Sequence, residues 1–257
     1  DEFNSLAVEE IGEQSGLTIS KKYATGFSEA YKEQYKPVHA LRDISVLESL
    51  AGSRKLAVDL RPLEKDLQLK LFHAKDPIAL SSMIPILENL GFNVLMERPH
   101  EITPRHESSV WLQDFLLELT LDINIDFYSI AEDFSQALEA IWSGAAENDR
   151  FNRLVIGACL SWREVALLRL YSRYLKQLGI PYSQDFIADT LSEYMGLSKV
   201  LFKLFAILFS PHRVNSNEKD NELGRIRQDI ENRLESVLDI SHDTVFRAYI
   251  QLIDATN

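Results

Sequence analysis

The densest chemistry of the sequence lies in one stretch, where Trp162, Arg163, Glu164, Arg169 and Arg173 follow one another within three helical turns. A guanidinium is a planar fork that grips a carboxylate with two parallel hydrogen bonds, so Arg163, Arg169 and Arg173 could hold the carboxylate of an amino-acid effector. Alternatively they pair with acidic residues of the chain itself, such as Glu147, Asp149 and Asp185, or with another domain, and so anchor the helix that carries them. We favour this second reading. Arg169 and Arg173 stand one turn apart and repel unless an anion or a carboxylate lies between them, which predicts a partner of some kind.

Other routes to chemistry are closed or weak. No two of the ten glycines are separated by a single residue, so a G-x-G dinucleotide fingerprint is absent, and so is a G-x-x-x-x-G-K-[ST] loop. Neither route to nucleotide binding exists, and no cofactor is expected in this chain. The histidines (39, 73, 100, 106, 212 and 242) are scattered; the nearest pair, His100 and His106, fits no metal motif. No G-x-S-x-G nucleophile motif is present. Cys159 has small and apolar neighbours, Gly157, Ala158 and Leu160, which predicts a buried, unreactive thiol.

The elements that position the arginines are helical. Asp149 can cap a helix and form an i,i+4 pair with Arg153, while Gly179 and Pro181 stop it, so one helix of about 28 residues, or about 42 Å, fits between. The run 154–162 has no charge on any face, and the spacing predicts a central pillar buried on all sides, with Trp162 in its apolar part.

Residues 1–51 read as helices, with Tyr23, Phe27 and Tyr31 at helical spacing as core. From residue 52 the period becomes alternating, giving strands around 55–61 and 67–71, a helix over 79–90 closed by Gly91, and strands over 92–98 and 110–119. Pro85 is awkward inside that helix, which predicts either a start near Ser82 or a kink. The fold class is α+β, a four-stranded, mostly antiparallel sheet with one helix over 52–124, followed by a larger all-α region over 125–257. Residues 210–222 lack apolar periodicity and are expected to form a mobile loop, followed by helices over 223–239 and 244–254. The run 199–209 is too apolar for one packed stripe, so part of it should need another surface to cover it.

The chain of 257 residues is 46% hydrophobic and carries a formal net charge of -12, an ordinary globular composition whose acidity disfavours nucleic acid as a partner. A single cysteine excludes a disulfide framework and fits a reducing compartment. The apolar runs fall short of the ~20 residues that span a bilayer, so a soluble, cytoplasmic protein is expected. The start at Asp1 rather than Met suggests a piece of a longer chain.

The strings ENDRFNRL, WREVALLRLYSRYLKQ and YSQDFI resemble the segment upstream of the catalytic domain in the large NAD-specific bacterial glutamate dehydrogenases. FSEAYKEQY with HALRDI, IALSSMIPILENLGFNVLMERPHEI with VWLQDF, SPHR and FRAYIQLIDAT resemble the same family in the same order. The resemblance implies a non-catalytic regulatory and assembly segment whose partner is the catalytic domain of the same chain, with NAD as cofactor of the parent enzyme and a homo-oligomer as its assembly. The catalytic lysine and aspartate would then lie beyond Asn257. The run AKDPIALSSMIPILENLGFNV resembles the strand-to-helix passage of ACT-type amino-acid-sensing domains. Asp76 and Pro77 thus become candidates for effector contact. Ile78 stands where that pattern has glycine, and the extra strand precedes the motif where ACT domains end on one. A permuted ACT-like sheet with an obstructed ligand site is expected. A self-standing amino-acid sensor and a helical scaffold for protein contacts are the competing functions.

Overall fold

The computed structural model describes residues 2–50, 56–74, 76–123, 126–209 and 216–256. The chain divides into two compact units, residues 1–87 with 92–131, and residues 88–91 with 132–257.

The first unit opens with four helices, α1 (Glu2–Ile11), α2 (Glu13–Tyr23), α3 (Glu29–Gln34) and α4 (Pro37–Ser49). Gly16 lets α2 lie against α1, because a Cβ there would stand 2.6 Å from the Ala7 carbonyl oxygen. Ser28 caps α3, its hydroxyl accepting from the Tyr31 amide, and Pro37 opens α4, where no amide donor is needed.

Next come β1 (Leu56–Pro62), β2 (Leu67–Ala74), α5 (Leu80–Asn89), β3 (Phe92–Ile102) and β4 (Val110–Leu119). The sheet order is β1-β2-β4-β3 with every pair antiparallel, so the extra strand stands at the edge beside β2. Gly91, at φ 98°, makes the turn from α5 into β3. Pro85 lies inside α5, which begins before Ser82.

Alternation gives the sheet two distinct faces. One carries Ala57, Phe72, Leu112 and Ile102, which form a core with Tyr23, Phe27, Tyr31, Ile44 and Leu47 of the helical segment. The aromatic residues are therefore core, as expected, but not on one helix, since Phe27 lies between α2 and α3 in a bridge to Ile102. Toward the other end of the strands this same face turns polar, with Arg61, Gln68, Lys70, Asp114 and Arg98 in register. The opposite face buries Leu69, Leu71, Phe115 and Leu117.

The helical part consists of α6 (Phe127–Trp142), a 3-10 turn (Arg150–Asn152), α7 (Arg153–Gly157), α8 (Trp162–Gln177), α9 (Gln184–Glu193), α10 (Met195–Phe209), α11 (Ser216–Leu234) and α12 (Ile240–Ala255). The single long pillar does not form. Its sequence breaks at 158–161, where Cys159 takes φ 51° and Ser161 starts a new helix through a reciprocal capping box with Glu164. The Met195 side chain packs against Gly157, its sulfur 2.2 Å from where a Cβ would stand. Cys159, expected in the core, is exposed in the break. Trp162, expected among buried apolar residues, is half-buried at the start of α8.

The expected loop is also shorter than its polarity suggested. Residues 216–222 belong to α11, whose apolar stripe of Leu223, Ile226, Ile230 and Leu234 begins only after them, and 210–215 lie outside the described residues. The apolar run in α10 buries Val200, Leu201 and Leu204, while Phe202, Phe205 and Phe209 are half-buried against one another and against Tyr171. The exposed apolar residues of the helical part are elsewhere, including Leu170 and Tyr174 on α8 and Leu178 just after it.

Candidate functional site

In the helical unit Arg169 and Arg173 of α8 meet acidic residues from the segment just before the 3-10 turn. Arg169 is 3% exposed and closes on Asp149 with a two-pronged pair, Nε to Oδ2 at 2.7 Å and Nη2 to Oδ1 at 2.9 Å. Its Nη2 also donates to Asn152 Oδ1 at 2.7 Å, and Asn152 in turn donates to the Glu147 carbonyl at 2.9 Å. Asp149 at the same time caps the 3-10 turn through the Phe151 amide. One turn along, Arg173 pairs with both carboxylate oxygens of Glu147 at the surface, which raises the pKa of the guanidinium. The repulsion between Arg169 and Arg173 is thus relieved by two carboxylates of the same chain. Arg153 pairs with Asp189 rather than with Asp149, and Arg150 shares that partner. Trp162 and Arg163 form a separate contact, the exposed guanidinium lying 4.2 Å from the indole centroid.

Asp76 and Pro77 are exposed just before α5. The adjacent Ile78 is buried, and both of its backbone polar groups are taken by one side chain: its amide donates to Gln113 Oε1 at 2.7 Å, and Gln113 Nε2 donates to its carbonyl at 3.0 Å. Gln113 Nε2 also donates to Glu97 at 3.0 Å. Beyond the bulk of the isoleucine, then, the backbone of this turn already has a hydrogen-bonding partner.

The third constellation was not visible in the sequence. Beneath α3 and α4, Lys70 of β2 donates to Asp43 of α4 at 2.6 Å, and the Tyr31 hydroxyl donates to the same oxygen at 2.6 Å. Both charges are buried, Asp43 at 0% and Lys70 at 2% exposure. Burial holds the Lys70 ammonium below its ordinary pKa despite the pull of Asp43, and pushes the Tyr31 hydroxyl far up. The Lys70 ammonium lies 4.2 Å from the Tyr35 ring centroid. His100 stands edge-on to Tyr31 and Tyr35; burial, with Lys70 and Arg98 nearby, pushes its pKa down and keeps the ring neutral.

Next to this network, Asp114 of β4 accepts hydrogen bonds from the Tyr35 hydroxyl and from Gln68 Nε2. Its burial pushes the carboxyl up to about 7. Asp114, Arg61, Arg98 and Lys70 line a cleft of about 500 Å³ whose rim includes His39, Leu63 and Met96. In the sequence, Gln68 and Lys70 alternate with leucines and so look like a solvated strand face. Nothing local shows that helices 20 to 40 residues upstream fold back over it.

The sequence matches three segments described for one family: "Glutamate dehydrogenase, helical motif 2" over residues 6–50, "Glutamate dehydrogenase, ACT3 domain" over 55–130 and "Glutamate dehydrogenase, helical motif 3" over 146–211. It is 36% identical over 261 residues to the NAD-specific glutamate dehydrogenase of Pseudomonas aeruginosa and 35% identical over 260 to that of Halomonas elongata, in both cases with the whole chain aligned. The enzyme of the same name from Mycobacterium tuberculosis is 35% identical over 250 residues, 94% of the chain. The chain spans about 16% of the length of the first two relatives and 15% of the third.

Proposed function

The chain belongs to the family of the NAD-specific glutamate dehydrogenases, and on that premise we propose that it is a non-catalytic regulatory and assembly segment of such an enzyme. The parent reaction is the oxidation of L-glutamate with NAD and water to 2-oxoglutarate, ammonia and NADH. Its catalytic groups and its NAD site lie in other parts of the polypeptide, and the partner of this segment is the catalytic domain of the same chain. The enzyme assembles as a cytoplasmic homo-oligomer and responds to an amino-acid effector. Among the described residues no helix is long and apolar enough to cross a membrane.

The observation that carries the reading is the order of the three family segments along one chain, with an ACT-like sheet between two helical motifs. The arrangement on α8 supports it, because Arg169 and Arg173 bind carboxylates of their own chain and so act in packing. The purified chain should form no NADH from glutamate and NAD. The full-length enzyme lacking this segment should lose its oligomeric state and its response to effectors in sedimentation and initial-rate measurements. NADH formation by the chain alone, or unchanged assembly and regulation without it, would overturn the proposal.

A further inference from the structure

We propose that the cleft between α3, α4 and the polar end of the sheet binds a free α-amino acid with an apolar side chain, its carboxylate on Arg98 and its ammonium on Asp114. This deepens the regulatory reading by giving the effector a site and a chemical class, and it rests on that reading only for its biological purpose.

The argument is one of unspent charge. Four charged side chains line the cleft, and two already have partners: Arg61 is held by Asp59 and Lys70 by Asp43. The remaining two are Arg98 and Asp114, which the strand register sets directly opposite each other on β3 and β4. Cross-strand neighbours of opposite sign ordinarily pair, yet among the described residues no ion pair joins them. Both donors to Asp114 go to Oδ2, leaving Oδ1 without a hydrogen bond. One free cation and, beside it, one buried carboxyl with an oxygen left over match the two poles of a zwitterion. A plain carboxylate would satisfy Arg98 but meet the Asp114 oxygens, and a plain amine would leave Arg98 idle.

Depth fixes the orientation. Asp114 is buried at the floor of the cleft and Arg98 is exposed at its rim, so the ammonium enters first. Burial raises the Asp114 pKa to about 7, and an ammonium placed beside it would restore the ionised form. Pro62, Leu63, Met96 and Leu116 provide the apolar wall for a hydrocarbon side chain. This cleft lies on the sheet face opposite Gln113, and so is separate from the turn at Ile78.

Calorimetric titration of the 257-residue chain with each natural amino acid of apolar side chain tests the proposal. For L-valine, the controls are 3-methylbutanoate, which lacks the ammonium, and isobutylamine, which lacks the carboxylate. At least one amino acid should bind, with its deaminated and decarboxylated analogues each weaker by about tenfold or more. Arg98→Ala, at an exposed position, should weaken binding by about tenfold with an unchanged circular dichroism spectrum, and Asp114→Asn should do the same. No binding by any of them below roughly 10 mM overturns the proposal, as does affinity that survives Arg98→Ala or an analogue that binds equally well. Failure here would leave the assembly role untouched, whereas loss of that role would not alter binding measured on the chain alone.

Discussion

The arginines of α8 and the charged residues beneath α3 and α4 place buried charge in opposite ways. On α8 Arg169 and Arg173 each meet a carboxylate from a nearby segment, and the clamp has the paired geometry at which a guanidinium is strongest. On the sheet, Lys70 and Tyr31 both donate to one oxygen of Asp43, but along the same face Arg98 and Asp114 are left apart. A fully paired cluster is spent on holding the fold together. An incompletely paired one keeps interaction free energy in reserve for something that arrives later. The difference cannot be read from residue types, since both regions offer cations and carboxylates side by side.

The strongest way to break the comparison is to open the closed pair on the sheet. Asp43→Ala leaves a buried ammonium and a buried tyrosine hydroxyl without their acceptor, which should destabilise the first unit by about 3–5 kcal/mol in chemical denaturation. Asp43→Leu combined with Lys70→Met should recover much of that loss, because an apolar pair has no charge to desolvate. A small effect of the single change would show that Lys70 reaches solvent, and the contrast with Arg98 would disappear.

Arg169→Ala should cost slightly less, about 2–4 kcal/mol, because the Asp149 carboxylate it leaves behind is partly solvated. Arg169→Lys should rescue little of it, since one ammonium cannot reproduce bonds to both Asp149 oxygens and to Asn152. Full rescue by lysine would mean that charge alone, not the fork, holds the clamp.

Asp114 gives a smaller, pH-dependent effect. Its carboxyl titrates at about 7 in the folded chain and at the ordinary 3.8 when unfolded, so between these values the folded state holds a proton that the unfolded state has lost. Stability therefore falls as pH rises from about 4 to about 7, and the loss is complete above that window. Asp114→Asn should flatten this part of the profile. An unchanged slope in the variant would show that the carboxyl is not held in its protonated form by burial.

Much of this architecture was legible because local pattern and tertiary packing agree. Alternating leucines in 67–71 and the Gly91 stop gave the strands and α5, and the recurrence of Tyr23, Phe27 and Tyr31 gave the core beneath the sheet. The continuous pillar failed for an identifiable reason. Apolar residues from Leu154 to Trp162 are compatible with one helix, but Ser161 with Glu164 spells a capping box, a local start signal that overrode periodicity. That same break exposes Cys159 and leaves Trp162 at a helix start. The α8 arginines could be assigned to Glu147 and Asp149 because their partners lie only 20 to 26 residues away. Asp43 with Lys70, and Tyr35 with Asp114, instead join the helical segment to strands, and no spacing rule tells which helix covers which strand.

The mildest prediction isolates burial from pairing on α8 itself. Arg173 and Arg169 share a helix face, a residue type and a carboxylate partner from the same short segment, but the Arg173 and Glu147 side chains are each 51% exposed. Water already solvates both ends of that pair, and holding two long side chains in register costs entropy, so such surface pairs contribute about 0–1 kcal/mol. Arg173→Ala should therefore shift the denaturation midpoint barely at all, and added salt should erase what shift there is. Arg169→Ala, measured alongside, should keep its cost in salt because its guanidinium is shielded from solvent. Equal losses for the two changes would mean that Arg173 is covered when the chain is folded, by a second copy or by the rest of the enzyme, and the surface on which it lies would then be an interface.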